Sequence, residues 1–488
     1  LVSTQLAMGG RDAGPEAGAH RKGEAEMKVS SAAKRAASVS QKCFVGIHGT
    51  WYDLTEFVNL HPGGDILWKF NQMDATEVFI AFHTKPGILA QASKYRTKMT
   101  YERQPDPVKS AYAKLSRQLV KEGMMSPEGT AGTWLFNAVR LLFFFAVSVL
   151  SIKMGWFACG GVLLCAFWQQ SGGLMHDTMH TNFTYDRNLD YYFGWLFGTV
   201  FFGTNSEWWR REHNVHHALT NSYTTAPETQ SKHAYNYAMP DKVKAAEGDV
   251  DHGFSVDYQM KEDVYAQNED VIHLFGKNDP FYFLMKYQHF YMLPAMVALG
   301  RIGILVDSWR HGASLFHWFG FALHWVIVGF VLSLCPDWFS RAVVYYVSSL
   351  CEGGLHIQLV ANHYLNNWDL DESIANDFVR WVFKSTHNIG GPAWFDWYHL
   401  GLNLHIEHHL FPKVSRANLR TIQPKVLFPV ETSRKSLEIP WNCPQDISLF
   451  LRCFFFYFCS RLTPSVVRKE GSCKIPTIIH LSIYLIPL

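Results

Sequence analysis

Between residues 133 and 361 the chain alternates long apolar stretches with polar ones. Residues 133–152 (TWLFNAVRLLFFFAVSVLSI) carry one charge, Arg140, and residues 154–175 (MGWFACGGVLLCAFWQQSGGLM) carry none. Each can cross a bilayer core, which takes roughly 20 apolar residues in a helix. Lys153 marks a tight turn between them, and a second pair follows at 314–335 and 342–361, separated by CPDWFSR. Four transmembrane helices in two hairpins are therefore expected. The apolar run 191–203 is too short to cross, and 281–300 carries Lys286, Gln288, His289 and Pro294, so both are expected to lie along the interface.

Upstream the pattern is that of a soluble domain. Residues 1–40 are rich in Ala, Gly, Ser, Lys and Arg and cannot bury a core, so disorder is expected. Within 41–105, CFVGIHGTWYDLTEF alternates as strands do around a turn at His48-Gly49, while DILWKF and DATEVFIAFH have helical spacing. Residues 106–132 read as a polar linker with some helical pattern. Residues 222–280 are polar and acidic, as in an insertion or cap. The tail at 431–488 contains two short apolar runs with no evident role.

Composition narrows the class. A net charge of +2 argues against nucleic acid as a partner. Aromatics reach 15%, with 17 Trp and 36 Phe, as where rings sit at a membrane interface. Nine cysteines with no CxxC pair read as reduced thiols rather than a disulfide frame.

The chemistry lies in the histidines. HDTMH places His176 and His180 at i, i+4; HNVHH places His213, His216 and His217 at i, i+3, i+4; HIEHH repeats that spacing at His405, His408 and His409. On a helix each set shares one face. These imidazoles exceed what one tetrahedral zinc requires and suit two metal ions of higher coordination number. Imidazole binds iron, zinc and copper alike, so the ligands alone do not choose the metal. Further upstream, His61 of HPGGD and His83 stand 22 residues apart. A low-spin heme needs two axial ligands on opposite faces of its iron. Phe57, Leu60, Phe79 and Phe82 can wall such a pocket, and Pro62, Gly63 and Gly64 make a turn that aims His61.

Two resemblances rest on these motifs. With Trp51-Tyr52-Asp53-Leu54-Thr55 before HPGGD and Asp74-Ala75-Thr76-Glu77 after it, residues 40–105 resemble a cytochrome b5 domain, which implies His61 and His83 as the axial pair of a heme b. The order HxxxH, HxxHH, HxxHH between apolar hairpins resembles the membrane fatty acid desaturases. WWRREHNVHHALTN, YQHFYMLP and GLNLHIEHHLFP, behind an N-terminal heme domain, resemble the front-end and sphingolipid branch over residues 40–425. That branch usually has Gln at the first position of its third box, where this chain has His405.

The resemblance implies a multi-domain chain: a small α+β heme domain, then an all-α membrane desaturase domain at 133–430 with four transmembrane helices and a cytosolic di-iron cap. It adds a ninth ligand, His363 of ANHYLN, with His356, His387 and His399 as spares. It implies two iron ions, O2 as co-substrate and electrons from an NADH–cytochrome b5 reductase. Asp177 and Glu407 are candidates to orient imidazoles. The implied substrate is a long polyunsaturated acyl chain on a membrane lipid or CoA. The implied location is the endoplasmic reticulum, with heme domain and boxes facing the cytosol. Alternatives are a sphingolipid long-chain-base desaturase, a heme-fused lipid hydroxylase, and a membrane-anchored electron-transfer heme protein. Parity adds a constraint: if 281–300 crossed, the third box would face away from the first two.

Overall fold

The computed structural model describes residues 42–63, 66–127, 133–220, most of 291–364, and 377–432, with short strands at Tyr223–Thr224 and Phe254–Ser255. The readings for residues 1–40, most of 222–300 and 433–488 lie outside the described residues.

The chain forms two compact units, one of Leu1–Ala75 with Leu89–Arg103, the other of Thr76–Ile88 with Gln104 onward. In the first, β1 (Phe44–Ile47), β2 (Thr50–Asp53), β3 (Met73–Asp74) and β4 (Arg96–Thr100) form a sheet in the order β3-β1-β2-β4. β1 and β2 pair antiparallel through His48-Gly49, both left-handed at φ 50° and 80°. Such a turn matches the strand twist. Asp74 accepts bonds from Tyr101 Oη and Arg103 Nε at 2.7 Å each, tying the chain after β4 to β3.

The second unit has two apolar cores. α1 (Thr76–Phe82), α2 (Pro107–Lys121), α10 (Phe378–Ser385), α11 (His405–Leu410) and α12 (Arg416–Thr432) share the first. Asp106 caps α2 by accepting from the amides of Val108 and Lys109, and Pro107 opens the helix. Val108, Tyr112 and Leu119 of α2 are buried with Ala81, Phe378, Val382, Ile406 and Leu410. The stretch read as a linker thus contains a core helix. Its few apolar residues fall on one face of an otherwise polar segment.

The second core joins α3 (Thr133–Lys153), α4 (Phe157–Met179), α7 (Leu315–Ser333), α8 (Trp338–Ser348) and α9 (Leu350–Tyr364). Among the described residues two helices are long and apolar enough to cross a membrane, Leu135–Lys153 and Leu315–Ser333. The other two expected spans differ for a physical reason. α4 turns Gln169, Gln170, Ser171, His176 and Asp177 into protein, and the fourth is divided at Ser349 into α8 and α9, which bury Glu352, Gln358 and His363. The run 191–203 forms the end of α5 (Arg187–Gly194) and π-helical turns at Trp195–Phe202, with Phe197–Val200 buried. Gly203 ends it at φ 93°, where a Cβ would lie 2.8 Å from the His324 ring.

Residues 298–306 are helical and bring Arg301 into this core. Its guanidinium lies 3.1 Å from Glu352, over the Trp168 ring, and within hydrogen-bond reach of Ser349 and His324. Removing one member of a buried ion pair costs about 3–5 kcal/mol, because the other charge is left without compensation. Arg301→Ala is accordingly expected to lower the unfolding temperature of the detergent-solubilised protein, with Arg301→Ala/Glu352→Gln recovering part of the loss. Equal losses in single and double variants would show that the pair is not coupled.

Candidate metal centre

Each histidine set sits at the end of an element from the cores just described. His176 is in the last turn of α4 and His180 caps it. His213, His216 and His217 lie on α6 (Ser206–Ala218), which Asn205 caps by accepting from Glu207 and Trp208 amides. His363 is in the last turn of α9, and α11 carries His405, His408 and His409.

All nine are buried, and they converge as two groups: His176, His180, His213, His217 and His408 in one, His216, His363, His405 and His409 in the other. Within each group, ligand atoms lie within 4.8 Å of one another. The groups are adjacent, with the His217 and His409 rings stacked at 3.9 Å. Helical geometry explains the partition. At about 100° per residue, i+4 lies about 40° to one flank of i and i+3 about 60° to the other, so one face can serve two adjacent groups. In the second box the i, i+4 pair His213/His217 goes to the first group and His216 crosses to the second. In the third box His405/His409 go to the second group and His408 crosses to the first.

The donor set fits metal ions. The Nε2 atoms of His363 stand 3.1 Å from His216 and 2.9 Å from His405, nitrogen facing nitrogen. His176 Nε2, His408 Nε2 and both ring nitrogens of His180 are buried without a hydrogen-bond partner. Buried polar atoms are rarely left so, and a cation accepting their lone pairs satisfies them. Burial first, then the charge neighbouring imidazoles would carry, holds His180, His217, His363, His405, His408 and His409 well below the usual imidazole range. They are neutral, the form that ligates.

Several partners fix ring orientation. His363 Nδ1 donates to the Ser385 carbonyl at 3.0 Å, leaving Nε2 as the lone-pair end. Thr220 Oγ1 donates to the His216 carbonyl at 2.5 Å and so accepts from His409 Nδ1 at 3.0 Å. Asp177 Oδ1 is 3.8 Å from His176 Nδ1, while its Oδ2 accepts from Arg416 Nε at 2.6 Å. Glu407 accepts instead from Asn388 Nδ2 at 2.8 Å, and burial pushes its carboxyl up to about 7. Thr220, Ser385, Asn388 and Arg416 carry no sequence signature, and sequence reasoning missed them. Thr220→Val is expected to lower iron affinity about 10–100-fold, the usual cost of losing such a partner. Iron content after dialysis against a graded chelator series measures it, and unchanged retention would deny Thr220 this role.

His387 and His399 are buried but belong to neither group, and the side chain of His356 lies outside the described residues. Of the two N-terminal histidines, His61 belongs to the first unit and His83 to the second. A Cβ at Gly63 would lie 3.0 Å from the His61 ring and from Ile66, a tight approach that glycine leaves open, and the Phe57 ring meets His61 edge-on at 5.6 Å. His83 follows α1, stacks on Phe79 at 4.4 Å and donates from Nδ1 to the Phe79 carbonyl at 3.1 Å. That leaves Nε2 as its lone-pair end. Burial lowers the His83 pKa to about 4.

Two neighbouring polyimidazole clusters on helices, in one chain with an HPGGD module, define a metal-dependent redox protein. The sequence model described as fatty acid desaturase matches residues 154–431, and that described as cytochrome b5-like heme/steroid binding domain matches residues 30–112. The chain belongs to the fatty acid desaturase family, a family of membrane-bound oxidoreductases, here fused to a heme-binding domain. The two clusters are its histidine-box di-iron site.

Similar proteins include a Delta 8-(E)-sphingolipid desaturase of Emericella nidulans, 26% identical over 72% of this chain and 62% of the relative. A Delta(8)-fatty-acid desaturase of Helianthus annuus is 28% identical over 78% of this chain and 81% of the relative. A Delta(5) fatty acid desaturase of Caenorhabditis elegans is 25% identical over 78% and 88%. The alignment with the fungal protein spans less than two thirds of that protein's length. No solved structure matches the chain.

Proposed function

We propose that this protein is a front-end desaturase that introduces a double bond into a long polyunsaturated acyl chain, using O2 and electrons passed from its own heme. The observation that carries this reading is the pair of adjacent, fully buried imidazole clusters, five and four residues strong, in a chain with a heme-binding domain. In this reading the nine clustered histidines hold two irons, and His61 and His83 are the axial ligands of the heme. The di-iron centre supplies the oxidising power that removal of hydrogen from an unactivated CH2–CH2 unit requires. The reaction balances as CH2–CH2 + O2 + 2e− + 2H+ → CH=CH + 2H2O.

The chain's own residues prepare that centre. Burial keeps His180, His217, His363, His405, His408 and His409 neutral, Ser385 and Thr220 fix which nitrogen of His363 and His409 faces inward, and Arg416 holds Asp177 beside His176. The apolar side chains around α10–α12 keep bulk water from the centre. Electrons enter singly from an NADH–cytochrome b5 reductase.

For topology we propose two hairpins, α3–α4 and α7 with α8–α9. In support, His176 and His363 lie in the last turns of α4 and α9, so both hairpins end at the same centre. An even number of crossings puts all boxes on one side, taken as the cytosolic face of the endoplasmic reticulum. A second reading, a sphingolipid long-chain-base desaturase, is favoured by the name of the fungal relative.

Expression in a yeast lacking polyunsaturated acids, fed single polyunsaturated acids, tests the first reading. A new double bond on the carboxyl side of an existing one supports it. Unsaturated long-chain bases without fatty-acid products support the second. Hydroxylated lipid, or heme-loaded protein with no product and no non-heme iron, overturns both.

A further inference from the structure

We propose that the segment Ala393–His399, just before the third histidine box, is an aromatic hook that inserts into the acyl layer of a phospholipid bilayer. This rests on the reading of α3 as a membrane span.

The segment is a 3-10 turn, Ala393–Phe395, followed by a short helix, Asp396–His399. It has a polar root and an aromatic tip. At the root, Asp396 accepts from Arg420 Nε at 2.6 Å and from Asn403 Nδ2 at 2.8 Å, which pins it to protein. At the tip, Trp394 is 73% exposed, Trp397 43% and Tyr398 39%. Phe395 and Tyr398 stack in parallel at 4.7 Å, so the tip is an ordered aromatic face. Large exposed rings grouped beside polar groups mark an interaction surface, and Trp and Tyr are the residues enriched where protein meets lipid.

Two observations identify lipid as the partner. The first is continuity with α3. Trp397 stacks on Phe144 at 6.3 Å, and Val139, Leu142 and Phe143, on other faces of α3, are exposed. The tip thus packs against a helix that itself qualifies as a span and is exposed on its remaining faces. Phe144 lies near the middle of α3, so the hook sits at hydrocarbon depth rather than beyond the helix end.

The second is how its backbone is satisfied. A carbonyl left unpaired in lipid is strongly unfavourable, and irregular backbone survives there only when protein supplies partners. Gln169 Nε2 donates to the Tyr398 carbonyl at 2.8 Å and Gln170 Nε2 to the Trp397 carbonyl at 2.9 Å. These two amides lie mid-helix on α4, between Phe167-Trp168 and Leu174-Met175. In water neither bond would be needed. Leu400, left-handed at φ 58°, then turns the chain away toward His405. The third box is therefore joined directly to a membrane-embedded element.

The test places the photoreactive amino acid benzoylphenylalanine at single positions of the full chain in phosphatidylcholine nanodiscs, with mass spectrometry of the irradiated protein. Substitution at Trp394 is expected to give phospholipid adducts, as at Phe143 of α3, with none at Lys121 on α2. Adducts at position 143 without adducts at 394 overturn the hook. Absence of adducts at 143 as well overturns the reading of α3 as a span, and the hook with it. Equal adducts at 121 show indiscriminate labelling and deny the hook any specific place in lipid.

Discussion

His405→Ala is expected to abolish desaturation while leaving the heme spectrum intact. His405 is fully buried in the four-histidine group, with its Nε2 2.9 Å from His363 and 3.2 Å from His409. Among the described residues the group has four donors, so the variant leaves three imidazoles at that position. Loss of a partner that merely orients a ligand costs about 10–100-fold, and loss of the ligand itself is expected to exceed that. The second iron should be missing from metal analysis, and product formation should fall by more than about 100-fold. Heme absorbance per mole of protein should not change. His405→Gln makes the complementary case. Related front-end enzymes usually carry Gln here, and its amide oxygen can still donate a lone pair, so this variant should keep measurable iron and activity. Full activity in the alanine variant would remove His405 from the ligand set.

His83→Ala is expected to do the reverse, losing the heme while non-heme iron stays. In the proposed site the variant leaves the heme with one protein imidazole, and the stacked Phe79 would face an open space. Electrons would then come from a separate carrier. Tethering raises effective concentration enough to strengthen an encounter by about 10²–10⁴-fold, and NADH-driven turnover should fall within that range. Single-turnover product after chemical reduction should survive, which separates electron supply from the metal centre. An unchanged heme spectrum would show that His83 is not an axial ligand.

The histidine boxes were legible because a helix converts spacing into direction. HxxxH and HxxHH need only the 3.6-residue period to place imidazoles on one face, and all eight, with His363, are found in the two clusters. The division between clusters was not legible. Whether His216 or His408 serves its own box's pair or the other group depends on how α6 and α11 face each other. The orienting partners were hidden for the same reason. Ser385 is distant in sequence from the His363 ring, Arg416 from Asp177 and Asn388 from Glu407, and all three belong to common residue types. The hairpin turn at His48-Gly49 was visible from local rules alone. The number of spans was harder, since hydropathy counts residues without knowing which face protein. Gln169, Gln170, Glu352 and Gln358 sit in segments apolar enough to look like lipid-facing helices, yet they are buried in the bundle.

The helix preceding His83 shares one apolar core with the helix of the third box. Ala81 is buried in the same cluster as Tyr112, Phe378 and Ile406, and Tyr112 Oη donates to the Leu410 carbonyl at 2.9 Å, at the end of HIEHH. Gene fusion is often pictured as stringing independent beads, each exchangeable for a cousin. Here the bead boundary runs through the middle of a motif. Cutting the chain at residue 105 would strip α1 from the packing that supports α11, and a grafted heme domain would have to reproduce Val78, Ile80, Ala81 and Phe82 as well as its own histidines. The helix that leads into His83 and the helix of HIEHH therefore answer to one packing constraint.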